Sequence, residues 1–259
     1  MTKCNNLVPL LDMSCKRWIA AFDVHGDMQD REAVRVFHEF TEKHWKPHIK
    51  ILGGDLWDFR CIRNGASPEE RADSVTADYQ AGLEFLTRFK PHVFLRGNHD
   101  ERLWEMAART QGDAMIADYC MSGALEVEAL MRKIKCDMRP YHKKKGVYKM
   151  GHLRVLHGFR SGQTACKLTC MDYGCSTLHG HIHSVDMWSA PGIDRRVGWS
   201  SGALCQVDMP YNARQPLTMR QNNGFAYGEV NEKTGEFSVN LAERINDEWC
   251  LYTKPLRLK

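Results

Sequence analysis

Trp18-Ile19-Ala20-Ala21-Phe22-Asp23-Val24-His25-Gly26 is the stretch that decides the fold. An apolar run reads as a buried strand, and it delivers a carboxylate and an imidazole two residues apart, beside a glycine. The same arrangement recurs downstream. Ile49–Leu52 runs into Gly53-Gly54-Asp55, with Asp58 close behind, and His92–Leu95 runs into Gly97-Asn98-His99-Asp100. Between these runs lie helical patterns, Arg31–Lys43 and Pro68–Phe89, the latter with apolar spacing at Val75, Tyr79, Leu83 and Leu86. A βαβαβ half with polar clusters at the carboxyl ends of its strands matches the usual placement of sites in open α/β sheets.

The second half is richer in strands. Gly146–Leu156 predicts a hairpin around Met150-Gly151-His152. Thr177–His181, Val185–Ala190, Arg196–Ser200, Phe225–Val230 and Glu236–Leu241 are further strand candidates. The expected fold class is therefore α/β: two packed mixed β-sheets flanked by helices. No repeat or long linker divides the chain, so residues 1–259 form one expected domain, with 101–145 as a helical cap segment beside the site.

Composition excludes several classes. A hydrophobic fraction of 43% and a charged fraction of 26% are those of an ordinary globular protein. No stretch approaches the roughly 20 apolar residues that cross a bilayer. Asn6–Met13 is too short and polar for a signal sequence, so the expected location is cytoplasmic, with no membrane partner. The ten cysteines lack the paired spacing of a structural zinc site, and Cys166, Cys170 and Cys175 read as free buried thiols. Net charge is only +4, but Arg132–Lys135, Arg139, Lys143–Lys145 and Arg195-Arg196 concentrate it, which suits either an anionic partner or a solvated face.

Five clusters carry chemistry: Asp23-x-His25, Gly54-Asp55-x-x-Asp58, Gly97-Asn98-His99-Asp100, Leu156-His157-Gly158 and Gly180-His181-x-His183. Carboxylate oxygen with imidazole nitrogen suits first-row divalent metals or zinc. Residues at i and i+2 of a strand share a face, so each such pair can grip one site; at a strand end both can instead lie on the loop. Adjacent glycines let the backbone turn sharply.

In this order the five clusters resemble the signature of the calcineurin-like metallophosphoesterase superfamily, over Phe22–Ser184. The resemblance implies two divalent metal ions, manganese first among them, with iron, nickel, cobalt or zinc as alternatives. It implies Asp23, His25 and His183 on the first metal, Asn98, His157 and His181 on the second, and Asp55 bridging them. A hydroxide held by the metals would be the nucleophile. His99 would be the general acid rather than a ligand, with Asp100 fixing its tautomer. Asp58 would orient a metal-bound histidine or cap the following turn.

The third block ends in Asp100, and Asp58-Phe59-Arg60 replaces the D-R-G of Ser/Thr protein phosphatases, so that branch is disfavoured. His99 disfavours branches with arginine or cysteine at that position. The resemblance then points to phosphodiesterases, and the expected substrate is nucleic acid, above all DNA, or a nucleotide phosphodiester. A small-nucleotide phosphodiesterase or phosphomonoesterase is the alternative enzyme, and a metal-stabilised interaction module the alternative outside catalysis. Trp57 and Phe59, flanking Asp58, could stack a base or pack beneath the loop.

Overall fold

The computed structural model describes residues 15–109, 114–193, 195–207 and 216–251. The Asn6–Met13 segment lies outside the described residues. Two sheets are packed face to face, with helices outside. The larger is seven-stranded, in the order β12-β11-β10-β1-β2-β3-β4, and the smaller five-stranded, in the order β5-β6-β7-β9-β8.

The larger sheet grows from β1 (Cys15–Ala21), β2 (Ile49–Leu52) and β3 (Val93–Leu95). These three pair in parallel, linked by α1 (Arg31–Glu39), α2 (Pro68–Ala72) and α3 (Val75–Phe89). Both faces of β1 are covered, which is why its run has no polar alternation. Trp18, Ala20 and Phe22 join the core between the sheets, while Ile19 and Ala21 join a second core under the helices with Phe37, Phe85 and Phe89. The expected single helix over Pro68–Phe89 is two helices. Asp73 is extended, and the Ser74 side chain accepts the Ala77 N–H to start α3 afresh.

α4 (Asn98–Ala107) begins inside the third motif, and α5 (Ala114–Lys133) packs along it. The 101–145 stretch also contains β4 (Asp137–Arg139), which pairs in parallel with β3, so the segment is not helical throughout. Val127 and Met131 of α5 are buried in the helix-side core.

The smaller sheet holds the hairpin β5 (Tyr148–Met150) and β6 (Leu153–Val155), then β7 (Thr177–His179), β8 (Val185–Ser189) and β9 (Val197–Ser201). α6 (Ala165–Tyr173) packs against β9 and β7 with Cys166 and Cys170 buried as free thiols. β10 (Gly224–Asn231) returns to the larger sheet antiparallel to β1. β11 runs over Asn240–Ile245, later than the Glu236–Leu241 expected, and turns through Asn246 and Asp247, both at positive φ, into β12 (Glu248–Leu251). No helix among the described residues is long and apolar enough to cross a membrane.

Candidate metal centre

Strands β1, β2, β3, β6 and β7 all stop just short of the polar clusters, so the site is built on the loops that follow them. Asp23 N, Val24 N and His25 N donate to Gly54 O and Asp55 O at 3.0, 2.9 and 2.9 Å, which zips the first two loops together. Asp23, His25, Asp55, His181 and His183 all take left-handed backbone, with φ of 52, 54, 49, 69 and 54°. Each such non-glycine residue costs on the order of 1 kcal/mol, held in place by its surroundings. A Cβ on Gly97 would lie 2.1 Å from Asp55 Oδ1, so only glycine lets the third loop close on the second.

The structure brings all seven expected ligands to this one place. His25 Nε2 and His183 Nε2 face each other at 3.2 Å, and Asp23 Oδ1 is 3.5 Å from His183 Nε2. On the other side, His157 Nε2 is 3.1 Å from both Asn98 Oδ1 and Asp55 Oδ2, and the His181 ring is 5.2 Å from that of His157. Asp55 Oδ2 faces both halves, lying 3.9 Å from His25 Nε2 as well. The paired-residue geometry comes from turns rather than from a strand face, since Asp23 and His25 follow β1 and His181 and His183 follow β7.

His99 sits at the edge of this cluster. Its Nε2 is 3.9 Å from Asp55 Oδ2, its ring meets that of His25 edge-on at 4.7 Å, and its backbone N–H donates to Asp55 Oδ1 at 2.8 Å. The expectation for Asp100 is corrected. Its Oδ1 accepts the Trp57 N–H at 3.0 Å and its Oδ2 the Gly97 N–H at 2.8 Å, so it ties the second loop to the start of α4. The partner of His99 is Asp58, whose Oδ1 is 2.9 Å from His99 Nδ1 and whose Oδ2 is 3.6 Å from His25 Nδ1. Asp78, on α3, accepts the N–H groups of Asp58 and Phe59 at 3.1 and 2.5 Å. Two buried carboxylates from different helices thus saturate the backbone of residues 57–59.

The charges are strongly polarised. Burial opposes ionisation of Asp55, yet the adjoining His157 and His99 hold its carboxyl well below the usual range. Burial likewise opposes charging His157, but Asp55 lifts it to about 9. Burial and the Asp55 charge push Asp100 up to about 7, and burial pushes Asp78 up to about 6. Asp23 Oδ1 is buried without a hydrogen-bond partner and lies 3.5 Å from His183 Nε2. A buried set of oxygen and nitrogen donors converging in two halves around one shared carboxylate fits two divalent cations.

Trp57 and Phe59 do not face the site. Both are fully buried, stacked on one another, and Trp57 Nε1 donates to Tyr79 O at 3.0 Å. His142 and His152 are exposed, and His179 is buried in β7, its Nδ1 2.8 Å from Gly180 O. The sequence reading missed Arg102, Tyr141 and Cys205. Arg102 donates to Asp58 O at 2.7 Å and follows His99 by three residues on α4, a helical spacing that could have marked it. Tyr141 packs edge-on to His157 and donates to Gly158 O at 2.9 Å. A cleft of about 370 Å³ opens from Asn98 past Asn64, Arg102, Arg109 and Tyr141.

The calcineurin-like phosphoesterase model matches residues 23–185, more than half of the chain, and the protein belongs to that family. Members bind divalent metals and hydrolyse phosphate esters. Among solved structures, a single mutant of Vps29 from Entamoeba histolytica is 12% identical, with 94% of this chain and 99% of that chain covered and a TM-score of 0.47. Wild-type Vps29 complexed with zinc from the same organism is 12% identical over 91% and 96%, with a TM-score of 0.46. A candidate diadenosine tetraphosphatase is 12% identical over 88% and 94%, with a TM-score of 0.40. No curated protein sequence matches the chain.

Proposed function

We propose that this protein is a dimetal phosphodiesterase whose substrate is a nucleic acid strand, DNA in the first instance. Asp23, His25 and His183 would hold one cation, Asn98, His157 and His181 the other, with Asp55 between them. Bound there, the cations supply Lewis acidity and a nucleophilic water at neutral pH. The observation that carries the diester reading is His99. Its Nδ1 is engaged by the Asp58 carboxylate at 2.9 Å, which favours the imidazolium against the burial that holds the ring below its ordinary pKa, and Nε2 is left turned toward the centre. A proton donor so placed serves a poor alkoxide leaving group, as a diester presents. The cleft at Arg102 and Arg109 supports an extended anionic substrate, because neighbouring phosphates of a strand need cationic donors outside the reacting centre.

The test is a substrate panel on protein loaded separately with manganese, nickel and zinc. Bis-nitrophenyl phosphate should turn over faster than its monoester, and a labelled single-stranded oligonucleotide should be cut. Preference for the monoester would overturn the diester reading. Diester turnover without oligonucleotide cleavage would move the substrate to small nucleotides, and no turnover of either ester would favour an interaction module.

A further inference from the structure

We infer that Cys205 is a positioning residue for His183, holding its imidazole for the first metal through a sulfur contact. On the two-metal reading above, the imidazoles of the centre are backed by different groups. His25 Nδ1 has the Asp58 carboxylate at 3.6 Å, His157 Nδ1 has Gly53 O at 3.1 Å, and His99 Nδ1 has Asp58 again. His183 differs: the group at its Nδ1 is Cys205 Sγ, at 3.7 Å. Its Nε2 is the nitrogen that meets His25 Nε2 and Asp23 Oδ1. His25, His183 and Cys205 thus form one tight, fully enclosed group.

The thiol is held by design of the backbone around it. Cys205 is 0% exposed. Asn223 Nδ2 donates to Cys205 O at 2.7 Å and Ala203 O at 3.2 Å. Leu204 N donates to Asp23 O at 3.0 Å, and Gln206 N to Met28 O at 2.9 Å. The segment carrying the sulfur is therefore clamped to the loop of Asp23 and His25 and, through Asn223 and the Asn222 N–H on His183 O at 2.8 Å, to the segment of His183, so sulfur and ring keep a fixed separation. A ring that ligates through Nε2 keeps its proton on Nδ1 and needs an acceptor there. Sulfur is a weak but soft and bulky acceptor, and it fixes both the tautomer and the tilt of His183.

The experiment is a manganese titration of metal-free wild type, Cys205→Ala and Cys205→Ser, read by bound metal at equilibrium. Cys205→Ala should weaken one of two equivalents by about 10–100-fold and leave the other unchanged, the usual effect of losing a group that orients a ligand. Cys205→Ser, which keeps a small acceptor, should recover most of that loss. Equal losses in both variants with lowered melting temperatures would reduce the role to packing, and unchanged binding in Cys205→Ala would overturn it outright. Fewer than two equivalents in wild type would sink the two-metal reading itself. A variant-free check is the ¹⁵N spectrum of zinc-loaded wild type: His183 should carry its proton on Nδ1, and coordination through Nδ1 would overturn the inference.

Discussion

Asp58 Oδ1 lies 2.9 Å from His99 Nδ1, and the other oxygen of the same carboxylate lies 3.6 Å from His25 Nδ1. Burial holds the His99 imidazole below its ordinary pKa while the Asp55 and Asp58 carboxylates oppose that, and on the proposed reading its Nε2 serves as proton donor rather than ligand. His99→Ala should keep its metal content while diester hydrolysis falls about 10²–10⁴-fold. Asp58→Asn should lower kcat by about 10–100-fold with little change in KM, as for loss of an orienting partner. Steady-state kinetics beside elemental analysis checks both, and metal loss in His99→Ala would reassign that residue as a ligand.

Asp100 should behave differently. Asp100→Ala leaves the buried N–H groups of Trp57 and Gly97 without acceptors, at about 1–3 kcal/mol for each. Chemical denaturation should show a clear fall in unfolding free energy. A fully stable Asp100→Ala with collapsed activity would instead restore a direct link to His99.

Arg102 tests the cleft. It uses one donor on Asp58 O and faces the opening with the rest of its guanidinium. Arg102→Gln should raise KM for an oligonucleotide several-fold more than for bis-nitrophenyl phosphate, which has a single phosphate, and should flatten the salt dependence of oligonucleotide binding. Equal effects on both substrates would place Arg102 at the reacting phosphate.

Cation binding should be visible as stability. With free manganese at about 100 times its dissociation constant, the native state gains roughly 2.7 kcal/mol, or about 5–10 °C in melting temperature for a chain of this size. Scanning calorimetry with and without a chelator measures it. Melting curves that are the same with and without the chelator for manganese, nickel and zinc alike would argue against a built metal centre.

His38 should set part of the acid sensitivity. It is buried against Phe37 and Phe85, and burial, with Arg88 nearby, pushes its imidazole down to about 4. Below pH 6.5 the unfolded chain takes up a proton that the native state refuses, so stability falls as pH drops from 6.5 to about 4. This one ring contributes up to roughly 3 kcal/mol over that window. Comparing denaturation of wild type and His38→Leu across the window isolates the contribution, and parallel curves would remove it.

The parallel half of the fold was legible because its strands are covered on both faces and read as unbroken apolar runs. The ligands were legible because glycine-flanked Asp and His clusters have few other uses. What escaped the sequence depends on approach across long separations. Asp58 and Asp100 stand on either side of His99 in the chain order, and only the turn after β2 decides which carboxylate reaches its ring. Trp57 looked available to a base beside a polar loop, yet Tyr79 of α3 covers it. Cys205 lies 22 residues from His183 and belongs to no motif. The β11 shift has a simpler cause: alternation around Glu236–Leu241 is weak, and the turn at Asn246-Asp247 sets the register from the far end.

The left-handed backbone at Asp23, His25, Asp55, His181 and His183 has a consequence for descent. Glycine at any of these positions would relax the chain, so a lineage released from catalysis gains robustness by losing its ligands. Relatives that have abandoned the chemistry should therefore carry glycine or asparagine where this protein keeps histidine, and should melt higher.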